Sequence, residues 1–257
     1  MTSIQEPDID ETALIASLQQ YGYDDPTTEI AEPVRELFEI EVRKLLTAVA
    51  AQHEPYVYRV GDIEVYIAPN VFSPRYFTDS WWFAINLPAI VGNNRLLDIG
   101  TGTGIIAVVA ALAGADVAAS DINPDAVENS RINFARHGIQ GNVFAGSLFD
   151  GVPSNETFDF IFWNHPFMST GNSKETLLAM SGFDYQYEGI KGYINKARDH
   201  LSSNGRLLLG TGTFAELSRI DEIGGEAGYA VRVLKREVVP LQPRGRIKTE
   251  FRIVEFV

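Results

Sequence analysis

The stretch Asn164-His165-Pro166-Phe167 follows the apolar run Phe158-Asp159-Phe160-Ile161-Phe162-Trp163. It brings together the residue types that can position a nucleophile. An amide accepts N–H bonds and an imidazole moves a proton or holds a ligand; a proline stiffens a turn and an aromatic ring offers a stacking face. Upstream, "LLDIGTGTG" sets Gly100, Gly102 and Gly104 at alternate positions, just after an apolar segment that carries Asp98. Glycine there permits positive φ and close approach of backbone to a ligand, and a helix starting near Gly104 directs its free N–H groups to the same place. A second acid, Asp121, closes "ADVAASD". At a strand end its carboxylate can accept both hydroxyls of a ribose, with Ile122 beside it to cover one face of an adenine. Asn123-Pro124 then fits an N-cap and first helical residue, and Gly138 a helix stop.

These residues serve one site only if the chain brings them together. From residue 95, short apolar strands (95–99, 115–120, 142–145, 158–163, 206–210) alternate with helical segments (104–113, 124–137, a loop and helix in 168–203, and 214–227). Such alternation predicts a parallel sheet with right-handed crossovers. Two late strands, 229–239 and 247–256, are joined by "LQPRGR" and must pair antiparallel. The expected fold is α/β, a Rossmann-like seven-stranded, mostly parallel sheet with an antiparallel last strand, spanning 71–257. Residues 1–70 are expected to form a helical and β-hairpin cap. It would contain a helix over 10–20 and a second helix, opened by Glu32-Pro33, whose Val34, Leu37, Phe38, Val42, Leu45 and Val49 make one apolar stripe. Tyr56–Val60 and Ile63–Ile67 flank Gly61-Asp62 as a hairpin. The aromatic loop "VFSPRYFTDSWW" leads into a helix over 79–90.

Composition narrows the chemistry. The 257 residues include no cysteine, which excludes disulfides and a thiolate nucleophile, and the four histidines are too scattered to predict a metal site. No apolar run reaches the roughly 18–20 residues needed to span a bilayer, and "MTSIQEPDIDET" has no secretory signal pattern, so the expected location is the cytoplasm. Most of the net charge of −13 sits at the start, where residues 1–41 hold eleven acids and one base. That arm reads either as a solvated helical face or as an acidic cover over a cationic substrate site. The near-neutral remainder argues against binding a nucleic-acid backbone. The expected partner is a small-molecule or peptide substrate, with no membrane.

Gly102-x-Gly104-x-x-Ala107 also fits a dinucleotide fingerprint, which would put Asp121 on the ribose of NAD. Asp98 within the strand, the antiparallel final pair and the Asn-His-Pro-Phe strand end all weigh against that reading.

The same stretches resemble the class I S-adenosylmethionine (SAM)-dependent methyltransferases over roughly 70–257. The likeness is nearest to the protein-glutamine N-methyltransferases that modify release factors and to related small-domain enzymes. "LLDIGTGTG" looks like the family's SAM turn, "SDINPDAVENSRINFARHGI" its ribose-acid segment, and "FDFIFWNHPF" its strand ending in Asn-Pro-Pro-Tyr. Pro74-Arg75-Tyr76-Phe77-Thr78-Asp79 is similar to the family's Pro-Arg-x-x-Thr-Glu loop. The resemblance implies SAM as cofactor. Asp98 would hold its ammonium, Gly100, Gly102 and Gly104 its close backbone contacts, Asp121 its ribose, and Ile122, Ser147 and Leu148 its adenine. Asn164 and the His165 carbonyl would hold a planar nitrogen, stiffened by Pro166, with Phe167 stacked on it. His165 stands where the family has proline, Ser147 where it often has an acid, and the first 70 residues do not resemble the release-factor enzymes' substrate domain. Aromatics on either side of the site suggest a lid, with Phe72, Tyr76, Phe77, Tyr185 and Tyr187 as expected substrate contacts. The implied activity is N-methylation of a small molecule or of an exposed amide or amine. Intramolecular cyclisation of SAM with release of methylthioadenosine, and a non-catalytic SAM-binding or NAD-binding protein, stand as alternatives.

Overall fold

Leu96, Leu97 and Ile99 are buried on both faces of β3 (Arg95–Ile99), as a central parallel strand requires. A computed structural model describes residues 11–172 and 175–257, so the predicted helix start at Asp10 and the acids Glu6 and Asp8 lie outside it. Around β3, the strands β4 (Asp116–Asp121), β5 (Asn142–Ala145), β6 (Phe158–Asn164), β7 (Leu201–Gly212), β8 (Val231–Pro240) and β9 (Lys248–Phe256) form one seven-stranded sheet in the order β5-β4-β3-β6-β7-β9-β8. All neighbours are parallel except the pairs made by β9, the last strand in the chain. The predicted sheet is therefore the observed one. β7 runs longer than expected because its polar start, Ser202-Ser203-Asn204, carries no apolar signal. The helix expected over 79–90 divides into α3 (Thr78–Asn86) and α4 (Pro88–Val91), since Pro88 has no N–H to continue the first helix.

The remaining crossovers are α5 (Ile105–Leu112), α6 (Pro124–Arg136), α7 (Glu188–Ala197) and α8 (Leu217–Glu226). No described helix is long and apolar enough to cross a membrane.

Before the sheet come α1 (Glu11–Gln20), α2 (Glu32–Ala50) and the antiparallel hairpin of β1 (Tyr56–Val60) and β2 (Ile63–Ile67). The α2 stripe buries Val34, Phe38, Val42, Leu45 and Val49, and with them the charged Arg35 and Glu41. Arg35 donates through Nη2 to the Ile30 carbonyl at 2.9 Å and pairs through Nη1 with Glu216 at 3.0 Å, which ties α2 to the segment after β7, while its buried Nε has no partner. The chain between α1 and α2 is stitched to the sheet by Ile30 N–H to the Thr213 carbonyl and Glu250 N–H to the Pro26 carbonyl.

The hairpin is held differently. Tyr66 N–H and Ala68 N–H donate to the side-chain oxygens of Asn133 (2.8 Å) and Asn129 (2.6 Å) on α6. Both amides return a bond to the Tyr66 carbonyl and reach the Thr103 carbonyl in the glycine turn.

Candidate active site

β3 lies between β4 and β6, and the chain leaves β3 towards β4 and β5 before returning to β6 on the other side. A sheet of this kind opens a crevice at the C-terminal strand edges where the order reverses. Ile99 is in register with Ser120 and with Trp163, so the glycine turn, Asp121 and Asn164 emerge side by side. They line a crevice of about 1140 Å³, its mouth included.

The three glycines have positive φ, +61° at Gly100, +55° at Gly102 and +80° at Gly104, a conformation that favours glycine. Their side-chain constraints differ. A Cβ on Gly100 would meet Trp163 Nε1 at 2.8 Å, and one on Gly104 would meet Ser130 Oγ at 3.0 Å, whereas one on Gly102 would meet nothing within 4 Å. Gly102 alone faces open space; the outer two let the turn nest against β6 and α6.

Asp121 Oδ2 accepts the Gly102 N–H at 2.9 Å and Oδ1 accepts the Asn123 N–H at 2.8 Å. Two backbone donors thus fix the carboxyl at the crevice wall, and each oxygen retains a lone pair for a ligand. Burial raises its pKa, against the pull of those amides. Ile122 is 40% exposed and lines the crevice with Ser147 and Leu148, the latter at φ +52°.

Asp98 is not among the lining residues. It lies beneath the turn, where Thr101 Oγ1 donates to its Oδ2 at 2.7 Å and its Oδ1 has no partner. Burial pushes its carboxyl up to about 7, the Thr101 bond opposing and the charge of Asp121 adding to the rise. Gly104 also stands back from the crevice, as the left-handed N-cap of α5.

The Asn-His-Pro-Phe segment is divided between two cavities. Asn164 and Pro166 line the crevice, while His165 and Phe167 line a second, inner cavity. Extended backbone sends successive side chains to opposite faces, so four consecutive residues cannot all face one ligand. Asn164 Nδ2 donates to Asp79 Oδ2 at 2.9 Å, which leaves Asn164 Oδ1 buried without a partner. His165 is 2% exposed, and its Nε2 lies 3.0 Å from Thr211 Oγ1. Burial pulls its pKa down to about 3, so the ring is neutral near pH 7 and a poor proton acceptor there.

Of the expected substrate aromatics, Phe72 lines both cavities and Phe77 the inner one. The other three line neither. Tyr76 is packed in the core, Tyr185 is 42% exposed, and Tyr187 is a buried strut whose hydroxyl donates to the Phe167 carbonyl and accepts the Glu216 N–H. Sequence reasoning missed Asp184, which lines the crevice and accepts the first N–H groups of α7 from Gly189 and Ile190. Burial raises its pKa to about 6. It also missed Glu41 on the wall of the inner cavity, although an acid set within the apolar stripe of α2 was a readable signal. No Lys or Arg is among the described residues lining either cavity.

Residues 62–224 match the methyltransferase small domain family. The chain is 33% identical over 193 residues to the release factor glutamine methyltransferase of Neisseria gonorrhoeae, covering 69% of this chain and 70% of that protein. It is 32% identical over 193 residues to the ribosomal RNA small subunit methyltransferase C of Aeromonas hydrophila, covering 70% of this chain but only 52% of the relative. Among solved structures, the T. Thermophilus 16S rRNA N2 G1207 methyltransferase in complex with AdoMet and guanosine superposes with a TM-score of 0.56 at 18% identity, over 79% of this chain and 49% of that one. A methyltransferase from Pyrococcus furiosus gives 0.53 at 22% identity, over 72% and 86%.

Proposed function

The chain belongs to the methyltransferase small domain family and is a SAM-dependent methyltransferase, and from that premise we propose that it methylates a nitrogen atom of a small acceptor. The crevice suits SAM. Gly102 leaves open space at the turn, Asp121 presents a fixed carboxyl at the neighbouring strand end, Ile122 offers an exposed apolar surface, and no Lys or Arg is among the described residues of the wall to hold a phosphate. When bound, SAM supplies a methyl group activated by positive sulfur.

The chain's own part is positioning. Asp121 accepts the ribose hydroxyls, and Ile122, Ser147 and Leu148 enclose the adenine. Asp98 acts from beneath the turn, through Thr101 and the start of α5, and Asp184 adds a second acid to the wall. Asn164 Oδ1 accepts an N–H of the acceptor and turns its lone pair towards the methyl group. Alignment of this kind lowers a transfer barrier by several kcal/mol or more without a strong base. The single observation that carries this reading is the unpartnered Asn164 Oδ1, held at the junction of the two cavities by the bond from Nδ2 to Asp79.

The relatives act on a release factor and on ribosomal RNA, by their names. For this chain a small acceptor is better supported. No Lys or Arg is among the described residues that line the inner cavity, and α1 and α2 of the cap, which we assign to residues 1–70, contribute to its walls.

Product analysis after incubation with SAM tests the proposal. S-adenosylhomocysteine should accumulate only when a nitrogen acceptor is added. Methylthioadenosine from SAM alone would mean intramolecular cyclisation and would overturn methyl transfer to an acceptor.

A further inference from the structure

The inner cavity meets the crevice at Phe72 and Ser181, which line both. Its walls carry many phenylalanine rings, among them the stacked pair Phe72 and Phe77, with centroids 4.2 Å apart, and the edge-on pair Phe167 and Phe214 at 4.7 Å. Set into that apolar wall are two carboxyl groups, Glu41 at 6% exposure and Asp79 at 9%. Glu41 Oε1 takes the Lys44 ammonium at 2.6 Å, but Glu41 Oε2 and Asp79 Oδ1 have no partner. His165 Nδ1, on the same wall, and Asn164 Oδ1, at the junction, are also unpartnered. Asn164 Oδ1 can only accept a hydrogen bond, as can the two carboxyl oxygens when ionised, whereas His165 Nδ1 accepts or donates according to the ring's tautomer. Buried acceptors without donors are destabilising, so a cluster of them around an apolar slot calls for a ligand that brings N–H groups. The slot encloses roughly 700 Å³, mouth included.

We propose that this inner cavity is the acceptor pocket and that it selects a small planar amine, an aromatic or heteroaromatic ring bearing N–H donors, over a nucleotide or a polypeptide side chain. This rests on the methyltransferase reading and adds the substrate class to it. Phe72 and Phe167, both on the wall, offer apolar rings against which the flat acceptor packs. Asn164 Oδ1 and Asp79 Oδ1 take the N–H groups of the reacting nitrogen, and Glu41 Oε2 takes a second donor. The nitrogen lone pair forms the new N–C bond as the methyl carbon's bond to sulfur breaks and its electron pair returns to sulfur. The proton that the methylated nitrogen sheds passes to the Asp79 carboxylate. Burial raises the pKa of that carboxyl and so makes it a better proton acceptor. A phosphate-bearing acceptor would bring negative charge against Glu11, Glu41 and Asp79, with no Lys or Arg among the described lining residues to receive it.

The test is calorimetric titration of 2-aminobenzimidazole and of 1,2-dimethylbenzimidazole, which keeps the ring system but has no N–H. Each is run with and without SAM, on the wild type and on Glu41→Gln and Leu45→Trp. Thermal melting establishes that both variants fold. The amine should bind the wild type, about tenfold more weakly to Glu41→Gln, and not detectably to Leu45→Trp, in which an indole fills the slot, while SAM affinity stays at the wild-type value in both. The dimethyl compound should bind at least about tenfold more weakly than the amine. Equal binding of the two benzimidazoles, no binding of the amine, or an affinity untouched by Glu41→Gln overturns the pocket assignment. So does turnover of guanosine or of a glutamine-containing tripeptide in preference to the amine. Failure of SAM to bind overturns the methyltransferase reading, and the amine titration without SAM still decides the pocket.

Discussion

Asn164 and Asp79 form a pair, the Asn164 amide donating through Nδ2 to Asp79 Oδ2 at 2.9 Å across the junction of the two cavities. Because that bond fixes which end of the amide is the oxygen, Oδ1 faces the site as an acceptor and not as a second donor. Asp79 is a positioning residue for the amide as well as a wall of the inner cavity.

Asn164→Ala removes the acceptor and leaves the wall proposed to bind adenosine intact. SAM affinity measured by calorimetry should stay within about threefold of wild type, while turnover falls by at least about a hundredfold, the scale expected when a group that orients the nucleophile is lost. Retained turnover would reduce Asn164 to a strand end.

Asp121→Ala should weaken SAM binding by at least about tenfold, because a carboxyl preset by two backbone amides is lost together with its proposed bonds to the ribose. The same titration with Asp121→Asn separates charge from shape. An affinity unchanged in both variants would remove Asp121 from the ribose role.

Much of this was legible in the sequence. The alternation of short apolar strands with helices gave the sheet, and the glycine spacing with Asp121 and Asn164 gave three neighbouring strand ends. What could not be read was which way successive residues turn. His165 and Phe167 were expected beside Asn164, but the alternation of extended backbone sends them into the inner cavity. Tyr187 was expected at the substrate. Its positive φ of 54°, next to Gln186 at the same value, instead swings the ring into the core as a strut, and no residue-type pattern announces a left-handed tyrosine.

Gly100→Ala and Gly102→Ala impose similar backbone strain, about 1 kcal/mol each at positive φ. They should nevertheless separate. Gly100→Ala also drives a methyl into Trp163 at 2.8 Å, so it should lower the melting temperature more. Gly102→Ala points its methyl into open crevice, so its larger effect should fall on SAM affinity. Equal melting shifts would mean that Trp163 yields freely.

Asp98 gives a pH signature. Its carboxyl is raised in the folded chain to about 7 from an ordinary value of 3.8. The folded state therefore holds a proton that the unfolded state has released between those values, and the stability this group contributes, fully present below 3.8, is lost as pH rises towards 7. Asp98→Asn has no such proton. Chemical denaturation at pH 5 and pH 8 should show the wild type losing stability relative to the variant as pH rises. A constant difference between the two would place the Asp98 pKa near its ordinary value.

The hairpin formed by β1 and β2 would by itself be marginal, with an outer row of backbone groups free to recruit another strand. The amides of Asn129 and Asn133 occupy the Tyr66 and Ala68 groups on one border, so that two side chains of a helix do the work of a third strand. That border is thereby closed to edge-to-edge stacking between molecules, a safeguard against fibre growth supplied by two asparagines and no extra length of chain.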